Sequence, residues 1–181
     1  FLREPTRPEA VLFNIRDTVT GFSPIQYMDQ LDERFLFVPD VLGIERYQEV
    51  FNPPGGYDPE PPDVDTLWTR EQERQFIVNL LDKEKYQSIE FDRWYDSSRD
   101  ERETFDNPLE EEYRFPYKVT FTEKPREGAE ARIIDISGRV YATVTTPTLE
   151  TPVWIVTRWR DFRDLASARR SWTELRGEFS P

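Results

Sequence analysis

Carboxylates and tyrosines are the side chains best suited to acid–base chemistry here, because the chain contains neither histidine nor cysteine. An isomerase-type site needs a carboxylate base and Tyr or Asp donors inside an apolar cavity. The candidates are Tyr27, Asp29, Asp32, Tyr117 and Asp135. Asp29 and Asp32 stand at a helix end, where carboxylates are usually solvated, and Asp135 alternates with apolar neighbours, so it faces away from them. The pattern therefore favours a protein without enzymatic activity.

A metal site is the second kind of chemistry that the carboxylates could support. The segment DPEPPDVD, Asp58–Asp65, holds four acidic residues, but its spacing does not match an EF-hand loop and its prolines break the turn such a loop needs. The acidic residues of 96–112 show no ligand periodicity. We therefore predict two solvated acidic loops, one over 53–65, which includes DPEPPDVD, and one over 96–112. Neither a metal nor a cofactor is expected.

The C-terminal segment differs in charge from the rest of the chain. Residues 151–181 contain six arginines and four acidic residues, a local charge of +2, so the other 150 residues carry −14. Arginine and tryptophan are enriched at binding hot spots, which makes this segment a candidate docking patch. Its residues are Arg158, Trp159, Arg160, Arg163, Arg169, Arg170 and Trp172. The alternative is that these arginines pair with acidic neighbours within the chain.

The strand over 153–160 is expected to present two different faces. Strict alternation places Val153, Ile155, Thr157 and Trp159 on the face that covers the helices. The opposite face begins apolar and becomes cationic; it carries Trp154, Val156, Arg158 and Arg160.

Composition limits the classes of partner. The 181 residues fit one domain, predicted as an irregular N-terminal arm over 1–7 followed by a single unit over 8–181. A formal net charge of −12 repels nucleic acid and anionic lipid headgroups. No stretch is apolar enough to span a membrane. The arm residues Phe1, Leu2 and Arg3 are a second candidate for partner binding.

Local patterns predict helices first and long strands afterwards. Capping signals at Thr6–Glu9, Ser23–Gln26 and Thr69–Gln72 open three helices, and a helical turn is expected within 40–51. Alternating apolar residues predict strands, with a bulge near Ser137-Gly138. The strands are expected over 33–39, 86–94, 113–122, 131–146 and 153–160, before a helical turn over 171–179. This order predicts an α+β fold whose curved antiparallel meander sheet holds the helices on its concave side.

Five segments of the chain carry a likeness to a known family. They are PEAVLFNI (Pro8–Ile15), YMDQLDERFLFVPD (Tyr27–Asp40), ISGRVYATV (Ile136–Val144), WIVTRWRD (Trp154–Asp161) and SWTELRGEF (Ser171–Phe179). In this layout the chain resembles the NTF2-like, or SnoaL-like, cone fold and, within it, a group of bacterial exported lipoproteins. The resemblance implies a signal peptide and a lipidated cysteine upstream of Phe1, and a location in the periplasm or cell envelope. It implies no single activity, since related cones host isomerases, hydratases and scaffolds.

These observations together predict a non-enzymatic accessory subunit of the cell envelope. It would dock on a larger, membrane-embedded protein complex, of which a respiratory or photosynthetic complex is one instance. Membrane contact would occur only through a lipid anchor or the partner. The alternative is a SnoaL-type protein that binds a small ligand, or acts as an isomerase, in the cone cavity. A cone filled by Phe, Tyr and Trp side chains would count against that alternative.

Overall fold

A computed structural model describes residues 2–51, 68–167 and 169–180 of the chain. The predicted loop at 53–65 and Phe1 lie outside these residues. The helices are α1 Pro8–Thr20, α2 Pro24–Met28, α3 Val41–Arg46, α4 Gln48–Phe51, α5 Arg70–Leu80 and α6 Trp172–Phe179. The strands are β1 Leu31–Val38, β2 Tyr86–Arg93, β3 Glu101–Thr104, β4 Glu110–Glu123, β5 Ile133–Thr145 and β6 Ile155–Arg163. The predicted α+β class is confirmed.

The sheet combines the predicted meander with two strands at its margins. Strands β2, β4, β5 and β6 pair antiparallel in that order, and β1 adds to β6 in the parallel direction. The alternation from Tyr113 to Phe121 on β4 is confirmed, since Tyr113, Phe115, Tyr117, Val119 and Phe121 are all buried. The helices pack on this face of the curved sheet.

The predicted acidic loop over 96–112 is wrong in its central part. Residues Glu101–Thr104 form β3, which pairs antiparallel with the beginning of β4, Glu101 opposite Arg114 and Thr104 opposite Glu111. All four β3 residues are exposed. A strand with no buried side chain shows no alternation of apolar and polar residues, so its sequence reads as a loop.

The sheet irregularity lies in β6 and not at Ser137-Gly138. Residues 137 and 138 pair in unbroken register with Lys118 and Tyr117 of β4. In β6, Arg158 is opposite Thr143 whereas Val156 is opposite Val144, so Thr157 is the extra residue of a bulge.

The bulge corrects the predicted faces of the last strand. The extra residue shifts the alternation by one position, so Val156 and Trp159 are both buried, as is Asp161. Ile155 and Thr157 are only half-buried and Val153 is exposed. Trp159 therefore faces the core as predicted, but Val153 and Ile155 do not, and Val156 joins the core instead.

Gly138 has a steric role instead of the predicted bulge. A Cβ atom at this position would lie 2.5 Å from the carbonyl oxygen of Phe162 and 2.5 Å from the hydroxyl oxygen of Tyr117. Neither distance is compatible with a side chain, so glycine allows the Tyr117 ring to approach β5 closely.

One of the predicted helix caps forms as expected. The Thr69 hydroxyl accepts from the N–H of Gln72, whose side chain accepts from the Thr69 N–H, and this capping box opens α5. The box at Thr6–Glu9 is wrong, because α1 begins after Arg7, which makes no side-chain cap bond. Ser23 precedes α2 but likewise forms no side-chain cap. Pro8 and Pro24 occupy the first turns of these two helices, where a missing N–H costs little.

Aromatic side chains fill the space between the helices and the sheet. The largest fully buried side chains there are Trp68, Trp172, Arg176, Tyr86, Tyr113, Tyr117, Phe35, Phe37, Phe51, Phe76, Phe115 and Phe121. Helix α6 is part of this filling, because every residue from Ser171 to Arg176 is buried. The first five residues of α6 are therefore covered on all sides, whereas exposed Glu178 lies in its last turn. The C-terminal helix thus occupies the concave side of the sheet.

Candidate functional site

The first buried polar cluster is centred on Glu73 of α5. Its carboxylate accepts hydrogen bonds from the Tyr27 hydroxyl at 2.6 Å and from the Trp68 indole N–H at 2.7 Å. Arg176 of α6 donates two more, from Nε at 2.9 Å and Nη2 at 2.6 Å. The Arg176 guanidinium also lies over the Phe37 ring, 3.6 Å from its centroid. Four donors thus satisfy one fully buried carboxylate.

The second cluster is centred on Asp161 of β6. One carboxylate oxygen accepts from the Tyr117 hydroxyl at 2.6 Å, and the other accepts from the Thr173 N–H at 2.9 Å and the Thr173 hydroxyl at 2.6 Å. The Tyr117 hydroxyl itself accepts from the Trp172 N–H at 2.9 Å. Asp161 therefore holds the first turn of α6 against the sheet.

Burial dominates the protonation of the second cluster. Desolvation raises the pKa of the Asp161 carboxyl above its ordinary value, while the hydrogen bonds from Thr173 and Tyr117 oppose part of that shift. Burial and the neighbouring Asp161 charge raise the pKa of the Tyr117 hydroxyl well above its ordinary range. Tyr117 therefore remains protonated at neutral pH and donates to Asp161.

Both clusters hold α6 against the rest of the domain. A general base needs a lone pair within hydrogen-bonding reach of the proton that it removes. In Glu73 and Asp161 the lone pairs face donors of the chain itself, inside an interior filled by aromatic rings. This arrangement stabilises the fold, because the hydrogen bonds of both carboxylates join α6 to the rest of the domain.

The structure separates the predicted acid–base residues. Tyr27 and Tyr117 join different buried clusters. Asp29 is exposed and Asp32 half-buried on the outer face of the sheet. Asp135 is half-buried and accepts from the Thr120 hydroxyl at 2.8 Å. They do not form one site.

Sequence reasoning missed the residues at the centres of both clusters. Glu73 precedes Phe76, Ile77 and Leu80 by three, four and seven residues, so helical periodicity places it on the buried face of α5. This signal was sufficient to identify it. For Asp161 the signal was the alternation itself, which places it on the same face as Trp159, two residues earlier.

The predicted docking patch divides into a buried part and an exposed part. Trp159 and Trp172 lie in the core, where Trp159 stacks on Trp94 with ring centroids 5.7 Å apart, so neither can contact a partner as predicted. The reason is that these large apolar rings gain most by filling the concave side of the sheet. Arg169 and Arg170 lie beside the beginning of β5, apart from the other arginines.

The N-terminal arm is attached to the domain by its backbone. The Arg3 N–H donates to the Asn14 side chain at 2.8 Å, and the Asn14 amide donates back to the Arg3 carbonyl at 2.8 Å. The Trp154 N–H donates to the Pro5 carbonyl, and the Arg3 guanidinium pairs with Asp17. Leu2 is half-buried. Arg3 thus has partners within the chain, which leaves less of the arm available to another protein.

Exposed Arg160 and half-buried Arg158 and Arg163 border a cleft between α3 and the end of β6, here called the α3–β6 cleft. It has a volume of about 600 Å³. Its lining residues are Val38, Pro39, Asp40, Val41, Leu42, Ile44, Arg158, Arg160, Asp161, Phe162, Arg163 and Leu165. Three apolar side chains at this cleft are open to solvent, Val41 at 62%, Leu42 at 41% and Leu165 at 81%. Exposed apolar groups that cluster in this way mark interaction surfaces.

Charges at the α3–β6 cleft are predominantly positive. Arg160 lies over the Phe162 ring, 4.9 Å from its centroid, and Arg163 pairs with buried Glu174. The two acidic residues of the cleft accept from backbone N–H groups, Asp40 at the start of α3 and Asp161 from Thr173. Three arginines and two aspartates give the lining a formal charge of +1 in a protein of net charge −12.

The described residues contain neither a metal-binding cluster of acidic side chains nor a membrane-spanning helix. No group of three or more Asp or Glu side chains is arranged to hold a metal ion in the described part of the chain. Within the same part, no helix combines the length and the apolar character needed to cross a membrane.

Comparison with known proteins identifies the fold. No family model matches the chain, and no curated protein matches it. Among solved structures, a provisionally named scytalone dehydratase from Novosphingobium aromaticivorans is similar at TM-score 0.55 and 11% identity, over 87% of this chain and 81% of that one. An NTF2-like superfamily protein from Salmonella enterica matches at TM-score 0.51 and 10% identity, over 87% and 89%. A provisionally named dehydratase of the NTF2-like family from Streptomyces avermitilis matches at TM-score 0.50 and 7% identity, over 86% and 92%. The chain has the NTF2-like fold, and identities this low show nothing more specific.

Proposed function

We propose that this chain is a non-catalytic NTF2-like binding domain that docks on a partner protein through the α3–β6 cleft. The observation that carries the proposal is the group of exposed apolar side chains Val41, Leu42 and Leu165 beside a cationic rim. Leaving such groups in water is unfavourable, and covering them supplies binding energy. Location in the cell envelope, attachment by a lipid anchor and membership of a larger membrane complex remain predictions from the sequence resemblance.

The chemistry of the cleft defines the kind of partner. Apolar anchors would fill the space beside Val41, Leu42 and Leu165, while a carboxylate of the partner would face exposed Arg160. A partner segment with apolar residues flanked by Asp or Glu fits both features. The net charge of −12 repels such a segment elsewhere on the surface, so the cationic rim orients it toward the cleft.

The filled interior supports a non-catalytic function. Enzymes place acid and base groups in a cavity that admits substrate. In this chain the described concave side is occupied by aromatic rings and by α6, and the carboxylates of Glu73 and Asp161 bind groups of the chain itself.

A peptide selection tests the docking proposal. We expect peptides selected on the immobilised domain to be rich in apolar residues flanked by Asp or Glu. The affinity of the best peptide should fall at least tenfold for the double variant Val41→Glu/Leu165→Glu, because both substitutions place carboxylates among the anchors. Fluorescence anisotropy of a labelled peptide measures this affinity.

The matched control is Ile25→Glu, since Ile25 is equally exposed but lies on α2, outside the cleft. This variant should bind the peptide as the parent does. Selected peptides without acidic residues, or equal losses in the Ile25 and cleft variants, would contradict docking at the α3–β6 cleft.

A second candidate function, binding of a small ligand in the interior, is favoured by one observation. The indole N–H of Trp159 is buried without a hydrogen-bond partner among the described residues. A buried unpaired donor is costly, and a ligand oxygen beside it would offset that cost.

Small carbonyl compounds test this second candidate. Cyclohexanone combines an apolar body with one acceptor oxygen, so it should raise the melting temperature of the parent but not that of Trp159→Phe, which lacks the donor. Differential scanning fluorimetry measures the shift. An identical response in the two proteins would exclude a ligand at Trp159.

A further inference from the structure

A small pocket at the beginning of β5 contains three arginines. Arg132, Arg169 and Arg170 line it together with Ile133, Ile134 and Asp135, and its volume is about 230 Å³. Arg132 precedes Arg169 by 37 positions, so the sequence does not suggest that they meet. The pocket lies outside the α3–β6 cleft and shares no residue with it.

Backbone hydrogen bonds fix the two segments that form this pocket. The Ser137 N–H donates to the Arg170 carbonyl at 2.8 Å, and Ile136 and Arg170 form a parallel bridge. On the other side, the Glu123 N–H donates to the Arg132 carbonyl at 2.8 Å. The positions from which the three arginine side chains extend are therefore set by the folded backbone. The backbone of the site therefore needs no ordering when a ligand binds, and only the side chains do.

The charges in the pocket are only partly compensated. Arg170 pairs with Glu178 of α6 at 2.5 Å. Asp135 accepts from the Thr120 hydroxyl at 2.8 Å. In the described part of the chain, the guanidinium groups of Arg132 and Arg169 form neither a hydrogen bond nor an ion pair. Asp135 is the one carboxylate among the residues that line the pocket, so three arginines outnumber it there.

We propose that this pocket binds a small oxyanion, such as inorganic phosphate, through Arg132 and Arg169. Guanidinium groups present planar pairs of N–H donors that match the oxygens of a tetrahedral or planar anion. Arg170 is held by Glu178 and contributes its positive charge from the edge of the site. The exposed Ile133 side chain forms one wall. This inference is independent of docking at the α3–β6 cleft.

Calorimetric titration of the full chain with inorganic phosphate at low ionic strength tests the site. The parent should bind one phosphate, and Arg132→Gln/Arg169→Gln should bind it at least tenfold more weakly, because both donors and two charges are lost. Neither side chain has a structural partner among the described residues, so the double variant should keep the circular dichroism spectrum and melting temperature of the parent.

Two further variants make the test specific. Arg126→Gln removes an exposed arginine on the turn before β5, outside the pocket, and should leave phosphate affinity unchanged. Asp135→Asn removes the one carboxylate that lines the pocket and should strengthen phosphate binding roughly threefold or more, since the repulsion of the anion disappears. Absence of phosphate binding by the parent, or equal weakening in the Arg126 variant and in the pocket variant, would overturn the proposal.

Discussion

Replacing Arg176 with alanine is expected to lower the free energy of unfolding by roughly 3–5 kcal/mol. The substitution leaves the Glu73 carboxylate fully buried without the two guanidinium hydrogen bonds that neutralise it. The hydrogen bonds from Tyr27 and Trp68 persist but supply no positive charge. The alanine also removes the guanidinium from the face of the Phe37 ring. Urea unfolding followed by tryptophan fluorescence measures the loss.

Two further variants show whether the loss of stability in Arg176→Ala comes from the unpaired buried charge. One removes both charges of the buried pair, and the other breaks a more exposed ion pair. Glu73→Gln/Arg176→Met removes both charges and keeps the interior filled, so it should be more stable than Arg176→Ala. Arg170→Ala breaks a more exposed pair with Glu178 and should cost less than about 1 kcal/mol. A loss below 1 kcal/mol for Arg176→Ala would show that the buried pair is not what holds α6 in place.

Replacing Asp161 with alanine is the second substitution with a large expected effect. Three donors lose their acceptor, namely the Thr173 N–H, the Thr173 hydroxyl and the Tyr117 hydroxyl, all of them buried. Since hydrogen bonds to a charged group contribute about 1.5–3 kcal/mol each and losses within one network are not additive, we expect a total near 3 kcal/mol. Asp164→Ala changes an exposed carboxylate three residues later and should have little effect.

The pH dependence of stability gives a second readout for Asp161. Burial raises the folded-state pKa of this carboxyl above its ordinary value near 3.8. The stability that comes from this shift is fully present below pH 3.8 and is lost as the pH rises through the folded-state pKa. Asp161→Asn cannot titrate, so the stability of the parent minus that of Asp161→Asn should fall as the pH rises from 3.8. A difference that grows with pH would mean that the hydrogen bonds outweigh desolvation and that the folded-state pKa is lowered.

Both predictions concern the way in which the C-terminal helix closes the domain. Helix α6 supplies Arg176 to Glu73 and its first backbone N–H groups to Asp161 and Tyr117. Withdrawing this helix would remove two of the four donors of Glu73 and two of the three donors of Asp161, so opening of the concave side carries a large free-energy cost. For this reason the surface, at the α3–β6 cleft and the pocket beside β5, is the better place to look for function.

Residue patterns within single segments of the sequence were sufficient to predict most of the helices and strands. The capping box at Thr69 and the apolar spacing after it predicted α5, and strict alternation from Tyr113 to Phe121 predicted β4. Such signals are reliable because the side-chain periods of helices and strands are local properties of the backbone. The α+β order followed from them. The exposed strand β3 was missed because it buries none of its side chains.

The candidate sites depended on contacts between distant residues. Glu73 and Arg176 are 103 positions apart, and Arg132 meets Arg169 and Arg170 only because β5 and the segment after β6 share backbone hydrogen bonds. One extra residue at Thr157 placed Val156 in the interior with Trp159 and Asp161. The sequence by itself determined the class of fold, the order of its helices and strands, and the cationic character of the C-terminal segment. Only the tertiary structure decided which of its arginines and tryptophans are buried and which reach solvent, because strand register and helix docking are set by packing across the whole domain.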